Sequence, residues 1–302
     1  MTLKQLRAFM LAARTGSFTA AADAMGISQA SVSELIRKLE DEHAAPLFTR
    51  GARRLVLTAA GEALLPHAEQ AVVAADDGER ALRSVRGLTG GVATFGLLRN
   101  AGYYLLSDLT QRFHDSYPDV RVRLIGLNSV EVAAAVAAGT VEAGLVVLPI
   151  DDEGLEVTPL LQDEVYYATA EPRRAAKPLA IDEFPRSRLI LYDAHYGWSD
   201  PTRRQLADRA QLAGLKIEPW IEVEHVESAL SLVQRGIGDT ILARAVAESP
   251  VRPPNLHTTS FHEPLHDTIA LVHRRSATLS PATRELARLA QSMLLERPAA
   301  QR

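Results

Sequence analysis

Small and polar residues, with one arginine nearby, are grouped between positions 28 and 37 of the 302-residue chain. The Gln29 amide can pair with adenine, the serine hydroxyls can reach base edges or phosphates, and the Arg37 guanidinium can hold a phosphate. Short side chains would also let the backbone approach a DNA groove closely. The candidate DNA-contacting residues of this segment are Ser28, Gln29, Ala30, Ser31, Ser33 and Arg37.

Three short helices would position these residues. The apolar spacing predicts helices over residues 3–14, about 18–25 and 29–42, with Ser28 as the N-cap of the third. Gly26 would allow a sharp turn before that third helix. This is helix-turn-helix geometry, in which the first residues of the second helix of the motif face base edges. A plain three-helix packing unit with a polar outer face explains the helix pattern equally well.

Arginines after the three helices distinguish these two interpretations. The sequence RGARRLVLT places Arg50, Arg53 and Arg54 around a glycine turn, and the alternating run 55–57 follows. This predicts a two-stranded wing with three cations at its tip. Residues 1–66 carry 8 Lys and Arg against 6 Asp and Glu, or +2, and the remainder carries 25 against 31, or −6. Phosphate contact by these arginines is therefore the favoured interpretation.

A long linker helix is predicted next, with a cap at Thr58 and a span of 59–88. Small and apolar residues recur in alternating steps of four and three, at Leu64, Ala68, Ala71, Ala75, Gly78, Leu82 and Val85. This 3.5-residue repeat favours a coiled-coil seam, and one long helix lying on its own domain is the alternative. Alanines bury little area and glycine lowers helix propensity, so we expect weak pairing without additional contacts.

Strands and helices alternate after the LTGG sequence at 88–91. The predicted strands cover 92–98, 120–127, 143–149, 164–170, 188–193, 217–224, 238–243 and 268–274. The predicted helices cover 103–116, 130–139, 201–213, 226–235 and 281–295. Such alternation favours a parallel sheet with crossover helices, repeated here as two lobes around a hinged cleft.

The predicted organisation has three parts. A DNA-binding domain covers 1–58, the linker helix 59–88, and the two-lobed region 89–302. The lobes are predicted to comprise about 89–161 with 268–302, and about 162–267.

A small ligand is expected where strands of the two lobes end. In open α/β sheets ligands bind beyond the carboxyl ends of strands, and free N–H groups at helix N-termini favour anions. We therefore expect a small organic acid, with Asn128 and Ser129 holding its carboxylate and Tyr196 and Trp198 flanking an apolar or aromatic body. Helix caps, packed aromatic residues and surface histidines are the alternative roles. The candidate effector residues are Arg99, Asn100, Asn128, Ser129, Pro149, His195, Tyr196, Trp198 and His225.

The N-terminal motif resembles that of the LysR-type transcriptional regulators. LKQLRAFMLAARTGSFTAAADAMGISQASVSELIRKLE, followed by PLFTR and RRLVLT, is similar to the family's winged helix-turn-helix nearly position for position. Weaker similarity continues at GGVATFGL, AAGTVEAGLVV and LVQRGIGDTIL. The resemblance implies an all-α winged helix-turn-helix domain, a long linker helix and a two-lobed α/β effector domain that looks like a periplasmic binding protein.

The resemblance also implies a function and partners. It implies a ligand-responsive regulator that binds double-stranded operator DNA with inverted half-sites. It further implies a homodimer through the linker helix, often a homotetramer, with RNA polymerase as a possible further partner. No cofactor is expected.

The sequence departs from the family pattern at several positions. Ala44 stands where glycine is usual after the third helix, and Glu34 lies in the recognition helix where a basic or amide residue is common. Asp239 replaces an apolar or small residue, and Ala243 and Arg244 replace the usual proline end. The operator sequence therefore cannot be taken from relatives.

Catalytic and metal-binding classes have little support. The chain lacks cysteine, which excludes disulfides, thiolate metal sites and cysteine nucleophiles. His262-Glu263-Pro264-Leu265-His266 matches HExxH, but Pro264 disfavours the helix that zinc hydrolysis requires. Neither GxSxG, GxGxxG nor GxxxxGK[ST] occurs. We predict that the chain is not an enzyme and holds no metal.

No signal peptide or membrane span is evident, so a cytoplasmic location is expected. A cytoplasmic solute-binding protein, or a two-lobed enzyme without a recognisable catalytic motif, is the alternative function. Neither alternative accounts for the wing arginines.

Overall fold

The computed structural model describes six stretches of the chain and divides it into two compact units. The described residues are 1–49, 55–84, 90–104, 107–184, 188–250 and 252–296. The first unit is Met1–Val85 and the second, which we call the effector domain, is Arg86–Arg302. The predicted wing cations Arg50, Arg53 and Arg54 lie outside the described residues.

The first unit begins with the three predicted helices. They are α1 (Leu3–Thr15), α2 (Phe18–Met25) and α3 (Gln29–His43). Gly16 and Gly26 follow α1 and α2 in the left-handed conformation, each with a φ of 66°, which permits the sharp reversals of the chain. The predicted order of helix, tight turn and helix is confirmed.

Apolar faces of these helices form the core of the first unit. Phe9 of α1 and Val32, Ile36 and Leu39 of α3 are buried. The rings of Phe9 and Phe48 lie 5.6 Å apart, centroid to centroid. The apolar face of α3 therefore packs inward, as its spacing predicts.

A pair of short antiparallel strands follows α3. β1 (Phe48–Thr49) pairs with β2 (Val56–Leu57), with Phe48 opposite Leu57. The base of the predicted wing is therefore confirmed, and its tip lies outside the described residues.

Ala44 ends α3 in the left-handed conformation, with a φ of 50°. This is the position at which the family usually has glycine, the residue that adopts such a conformation without steric cost. The turn that the substitution put in question therefore keeps a left-handed residue.

α4 (Ala59–Ser84) is the predicted linker helix. Thr58 caps it as predicted, because its Oγ1 accepts a hydrogen bond from the Gly61 N–H at 3.1 Å. A Cβ atom at Gly61 would lie 2.4 Å from the carbonyl oxygen of Leu47, so the first turn of α4 needs glycine.

The first half of the predicted coiled-coil seam lies on the core of its own unit. Ala68 is fully buried there, and Leu64 and Ala71 pack at the edge of the same cluster. Two ion pairs connect α1 with α4: Arg7 with Asp76, and Arg14 with Glu69. The alternative of a helix lying on its own domain is thus correct for this half, because these small side chains allow α4 to approach α1 closely. The last two predicted members of the seam, the side chain of Leu82 and all of Val85, lie outside the description.

The effector domain opens with parallel strands. β3 (Val92–Leu98) lies between β4 (Arg121–Leu127) and β5 (Ala143–Leu148), and all three are parallel. The crossover helices are α5 (Ser107–Ser116) and α6 (Ser129–Ala137). This part of the prediction is confirmed.

The rest of the main sheet is antiparallel. β6 (Leu155–Thr169) and β11 (Leu265–Arg274) pair with each other, and β11 also pairs with β5. β9 (Thr240–Ala243) and β10 (His257–Thr259) pair with β6. One mixed sheet of seven strands results, so the prediction of a parallel sheet is wrong for this half.

β6 is much longer than the strand predicted at 164–170. Its first half was missed because Pro159 is atypical of a paired strand. This proline faces Ala270, beside a register irregularity between Ile269 and Ala270, where a strand tolerates proline. The predicted boundaries between the lobes, at 161/162 and 267/268, each fall inside a continuous strand, β6 and β11.

Shorter elements complete the domain. They are β7 (Ile190–Leu191), α7 (Pro201–Leu212), β8 (Ile221–Glu222), α8 (Val226–Gln234), α9 (Arg244–Ala247) and α10 (Pro281–Leu295). The strands predicted at 188–193 and 217–224 shorten to two residues each. Asp193 has a left-handed φ of 62°, and Pro219 has no backbone N–H, so neither can extend the ladder.

Two further segments differ from the prediction. The helix predicted at 103–116 is a 3-10 helix over Ala101–Tyr104 followed by α5, and α9 was not predicted. Among the described helices, none combines the length and apolar character needed to cross a bilayer.

Candidate functional site

The N-terminus of α3 exposes the predicted DNA-contacting residues. Ser28 is its N-cap, since its Oγ accepts the Ser31 N–H at 3.2 Å, and the two hydroxyl oxygens lie 2.8 Å apart. Gln29 and Ala30 are exposed, and Gln29 Nε2 donates to the half-buried Ser33 Oγ at 3.1 Å. The amide of Gln29 is therefore held on the surface of the helix, where base edges could reach it.

Arg37 already has an acidic partner. Its Nε and Nη2 donate to Glu34 Oε2 at 3.1 and 2.8 Å, and Asp41 lies 3.9 Å away. The hydrogen bond from Arg37 lowers the pKa of Glu34, so this carboxylate is ionised at neutral pH. The predicted phosphate contact of Arg37 would compete with this exposed ion pair. The spacing of three residues between Glu34 and Arg37 was the sequence signal that could have revealed this ion pair.

A cleft lies at the strand ends of the effector domain. Its cavity volume is about 40 Å³, and further space beside it is open to solvent. Of the predicted effector residues, Arg99, Asn100, Asn128 and Ser129 line it. The predicted residues outside its lining are Pro149, His195, Tyr196, Trp198 and His225.

Asn128 and Ser129 hold groups of the protein itself. Asn128 Oδ1 caps α6 by accepting the Val130 N–H at 3.0 Å. Its Nδ2 donates to Asp193 Oδ1 at 3.2 Å and to Asp200 Oδ2 at 2.9 Å. Ser129 Oγ accepts the backbone N–H of Val147 at 2.9 Å, and this contact fixes α6 to β5. These contacts do not support the prediction that Asn128 and Ser129 bind the carboxylate of an effector.

Arg99 lies between two acidic groups. Its Nε is 3.2 Å from Asp193 Oδ1, and its Nη1 contacts both the carboxylate and the backbone carbonyl of Glu224. Partial burial lowers the pKa of Arg99, but its hydrogen bond to Glu224 and the charge of Asp193 raise it overall. The charge of this arginine is thus balanced within the protein.

The aromatic candidates have other partners. Tyr196 donates its hydroxyl to Glu131 Oε2 at 2.9 Å, and the Trp198 ring lies 4.8 Å from the guanidinium carbon of Arg203.

The backbones of both histidine candidates make hydrogen bonds, and the ring of His195 packs edge-on against Tyr196. The backbone N–H of His195 donates to Glu224 Oε2 at 3.0 Å. His225 is the N-cap of α8, without a capping hydrogen bond from its side chain.

Three buried aspartates line the cleft and were missed from the sequence. Asp193 follows β7, Asp200 caps α7, and Asp267 lies in β11. Asp267 accepts hydrogen bonds from Thr202 Oγ1 at 2.8 Å and Gln205 Nε2 at 3.1 Å. Asp193 ends the predicted strand LILYD and Asp200 precedes a proline, so both had a positional signal. Asp267 had none.

Burial and mutual repulsion disfavour the charged forms of these aspartates. Burial first, and then the charge of Asp200, raise the pKa of Asp193 to about 6. Burial likewise raises the pKa of Asp267 to about 7, with a further contribution from the charge of Asp200. The pKa of Asp200 is raised as well, chiefly by burial.

The HExxH match forms no helix. His262, Glu263 and Pro264 lie between β10 and β11, and His266 belongs to β11, so the expectation that Pro264 prevents a helix here is confirmed. Within the described ranges, no group of three or more His, Asp or Glu side chains is arranged to hold a metal ion.

Comparison with known families matches both units. Residues 3–62 match the family described as "Bacterial regulatory helix-turn-helix protein, lysR family". Residues 86–294 match the "LysR substrate binding domain", which alone covers more than half of the chain.

Two relatives are similar to this chain over most of its length. A "Probable RuBisCO transcriptional regulator" of Synechocystis is 31% identical over 85% of this chain and 75% of its own length. IlvR of Caulobacter vibrioides is 29% identical over 96% of this chain and 97% of its own.

Solved structures share the fold at lower identity. A full-length OxyR from Pseudomonas aeruginosa is 22% identical, with a TM-score of 0.72 over 98% of this chain and 95% of that one. Full-length CbnR in complex with its target DNA is also 22% identical, with a TM-score of 0.62 over 97% and 100%. The chain therefore belongs to the LysR family of bacterial transcriptional regulators, and it is a ligand-responsive DNA-binding regulator rather than an enzyme.

Proposed function

We propose that this regulator places the N-terminus of α3 in the major groove of its operator, with the wing beside it. The observation that carries the proposal is the exposed start of α3, where Gln29, Ala30 and Ser31 face solvent. A major groove admits one helix, and the first residues of that helix face base edges. Gln29 would read a base, while Arg50, Arg53 and Arg54 would contact phosphates.

We further infer a homodimer through the part of α4 that its own unit leaves uncovered. Ala63, Gln70, Ala74 and Gly78 are exposed along this helix. A symmetric pair would read inverted half-sites about one helical turn apart, or multiples of that distance. A homotetramer and contact with RNA polymerase stay predictions that rest on the family resemblance. Action on bacterial promoters would place the protein in the cytoplasm.

We infer that the cleft of the effector domain is the effector site. An effector there would contact residues of both lobes, which β6 and β11 connect. It would change operator binding only through its difference in affinity for the alternative arrangements of the protein. A small organic acid is the class predicted from the N-terminus of α6. The contacts of Asn128 and Ser129 and the aspartates of the cleft favour another class.

Variants of the DNA-binding residues test this function. Full-length protein would be titrated with DNA from upstream of its own gene and with versions substituted at each base pair. We expect Gln29→Ala to lose about 1–3 kcal/mol of discrimination at one base pair of each half-site. Arg53→Ala should weaken binding to every sequence and lower the salt slope by about one.

The exposed glutamine of α7 provides a matched control. Gln211→Ala removes the same amide from the effector domain and should leave both readouts unchanged. Equal losses on operator and random DNA for Gln29→Ala and Arg53→Ala would contradict the roles assigned here.

A further inference from the structure

The cleft of the effector domain is lined by more acidic than basic side chains. Asp193, Asp200 and Asp267 are all buried in its wall. Arg99 is the cation of the lining in the part of the chain that the structure describes, and it already contacts Asp193 and Glu224. A ligand carboxylate would therefore have to compete with the acidic partners of Arg99 and lie beside the aspartates of the wall. Juxtaposed like charges oppose such binding.

The side chain of Tyr192 also indicates a ligand site in this cleft. Its side chain lines the same cleft and is only 8% exposed. Among the described residues, its hydroxyl has no hydrogen-bond partner. This hydroxyl therefore has free capacity to donate to or accept from a ligand atom. Burial, and next the charge of Asp267, raise the pKa of Tyr192, so the hydroxyl is protonated.

We propose that the effector carries a protonated amine, bound between the buried aspartates and the Tyr192 hydroxyl; the inference rests on the cleft being the effector site. An ammonium group has three N–H donors and no acceptor, which suits carboxylate and hydroxyl oxygens. The apolar part of the ligand would lie against Leu98, Leu127 and Val147. Because the described residues form no metal-binding group, an organic cation fits the cleft better than a divalent metal ion.

Proton release provides a signature of this binding mode. The raised pKa values of Asp193, about 6, and of Asp267, about 7, mean that part of each population is protonated near neutral pH. A nearby ammonium favours the ionised form, so amine binding lowers both pKa values and releases protons. The charged and titratable groups that face these two aspartates are Arg99, Tyr104, Asp163, Tyr192, Asp200 and Glu224.

Three head groups on one carbon skeleton test the proposal. Full-length protein would be titrated calorimetrically, at constant ionic strength, with butylammonium, 1-butanol and butyrate, and then with propyl to pentyl monoamines and diamines. We expect amines to bind at least about tenfold more tightly than butyrate. The binding enthalpy should depend on the ionisation enthalpy of the buffer, since protons are released. Butyrate binding as tightly as butylammonium, or no saturable binding of any amine, would overturn the proposal.

Substitutions of residues that line the cleft complete the test. Asp267→Asn removes one buried charge, Tyr192→Phe removes only the hydroxyl, and each should weaken amine binding at least about fivefold. Asp208→Asn makes the same charge change at an exposed position of α7 outside the cleft and should have no effect. If Asp267→Asn does not fold, Tyr192→Phe decides alone. Unchanged amine affinity in Tyr192→Phe would contradict the site.

Operator binding by the same preparation separates the two levels of the proposal. Retained operator binding without any amine binding overturns the amine class only. Absence of operator binding overturns the proposed function itself. Amine binding that shifts operator affinity supports both.

Discussion

We expect single residues of α3 to set how strongly this helix binds DNA. The ion pair between Glu34 and Arg37 places an ionised carboxylate on the surface that would face phosphates. The sequence showed Glu34 as an unusual residue for this helix but not which cation it would hold, because Arg37 and Lys38 both follow it at helical spacing.

Replacement of Glu34 should therefore strengthen DNA binding. Glu34→Gln removes a negative charge and frees Arg37 for a phosphate. We expect affinity for both operator and random DNA to rise about three- to tenfold at low salt, and the salt slope to steepen by about one. Binding titrations across a salt series would measure both changes. Glu153→Gln, an exposed acid of the effector domain, is the control; equal effects of the two variants would argue against a local role.

Ala44 offers a test of the turn after α3. Its left-handed φ of 50° strains an alanine because of the Cβ atom, whereas glycine adopts this conformation without strain. Ala44→Gly should raise the free energy of unfolding of the first unit by up to about 1 kcal/mol. Ala45→Gly, at the next position, should lower it or leave it unchanged. Urea unfolding followed by circular dichroism would compare the two, and a loss of stability in Ala44→Gly would contradict the conformation described.

At the scale of elements, α4 shows how one repeat can serve two packing surfaces. A 3.5-residue repeat of small side chains predicts close helix packing but does not indicate whether the partner is a helix of the same chain or of a second copy. Ala68 and its neighbours pack on α1 of the same chain, so the predicted seam with a second copy is wrong for this half. The sequence could not decide, because alanine suits either contact.

Leucine substitutions along α4 distinguish these surfaces. Ala68 is fully buried, so Ala68→Leu should overpack the first unit and lower its stability by about 1–3 kcal/mol. Ala74 is exposed, and Ala74→Leu should change monomer stability by less than about 0.5 kcal/mol. Denaturation at several protein concentrations would measure both. A dimer strengthened by Ala68→Leu would mean that this residue faces a second copy.

Predictability also varied among the strands. The parallel strands β3, β4 and β5 followed from apolar runs separated by helices. Only the second half of β6 was predicted. Its first half contains Pro159 and ends in polar residues, which usually interrupt strands. Since its pairing with β11 joins distant parts of the chain, local pattern could not reveal it.

Across the whole chain, the sequence predicts the DNA-binding motif in more detail than the cleft of the effector domain. Arg99, Asn100, Asn128 and Ser129 do line this cleft, because strand ends and helix caps have local signals, and their binding of an effector stays a prediction. Its acidic character was not foreseen. Asp267 lies far along the chain from Asp193, and only the fold brings them to one wall.

The buried aspartates predict a pH dependence of stability. Their pKa values rise on folding, so the folded effector domain binds more protons than the unfolded chain between the ordinary value of 3.8 and about 7. Stability should therefore fall as pH rises through this window, by about 1.4 kcal/mol for each unit of pKa shift. Both tryptophans, Trp198 and Trp220, belong to this domain, so their fluorescence in urea reports its unfolding.

Asp267→Asn should flatten this dependence, because one of the titrating groups is removed. Asp208→Asn, with the same change at an exposed position, should keep the wild-type profile. Stability that rises between pH 5 and pH 7.5 would contradict the raised pKa values.

The central claim is that the exposed start of α3 and the wing bind duplex DNA with sequence preference. Its most direct test is a binding titration of the full-length protein on the DNA upstream of its own gene and on a scrambled duplex of equal length. We predict saturable binding that is at least about a thousandfold tighter on the upstream DNA at physiological salt. Failure to retain any double-stranded fragment, even at low salt, would contradict the account.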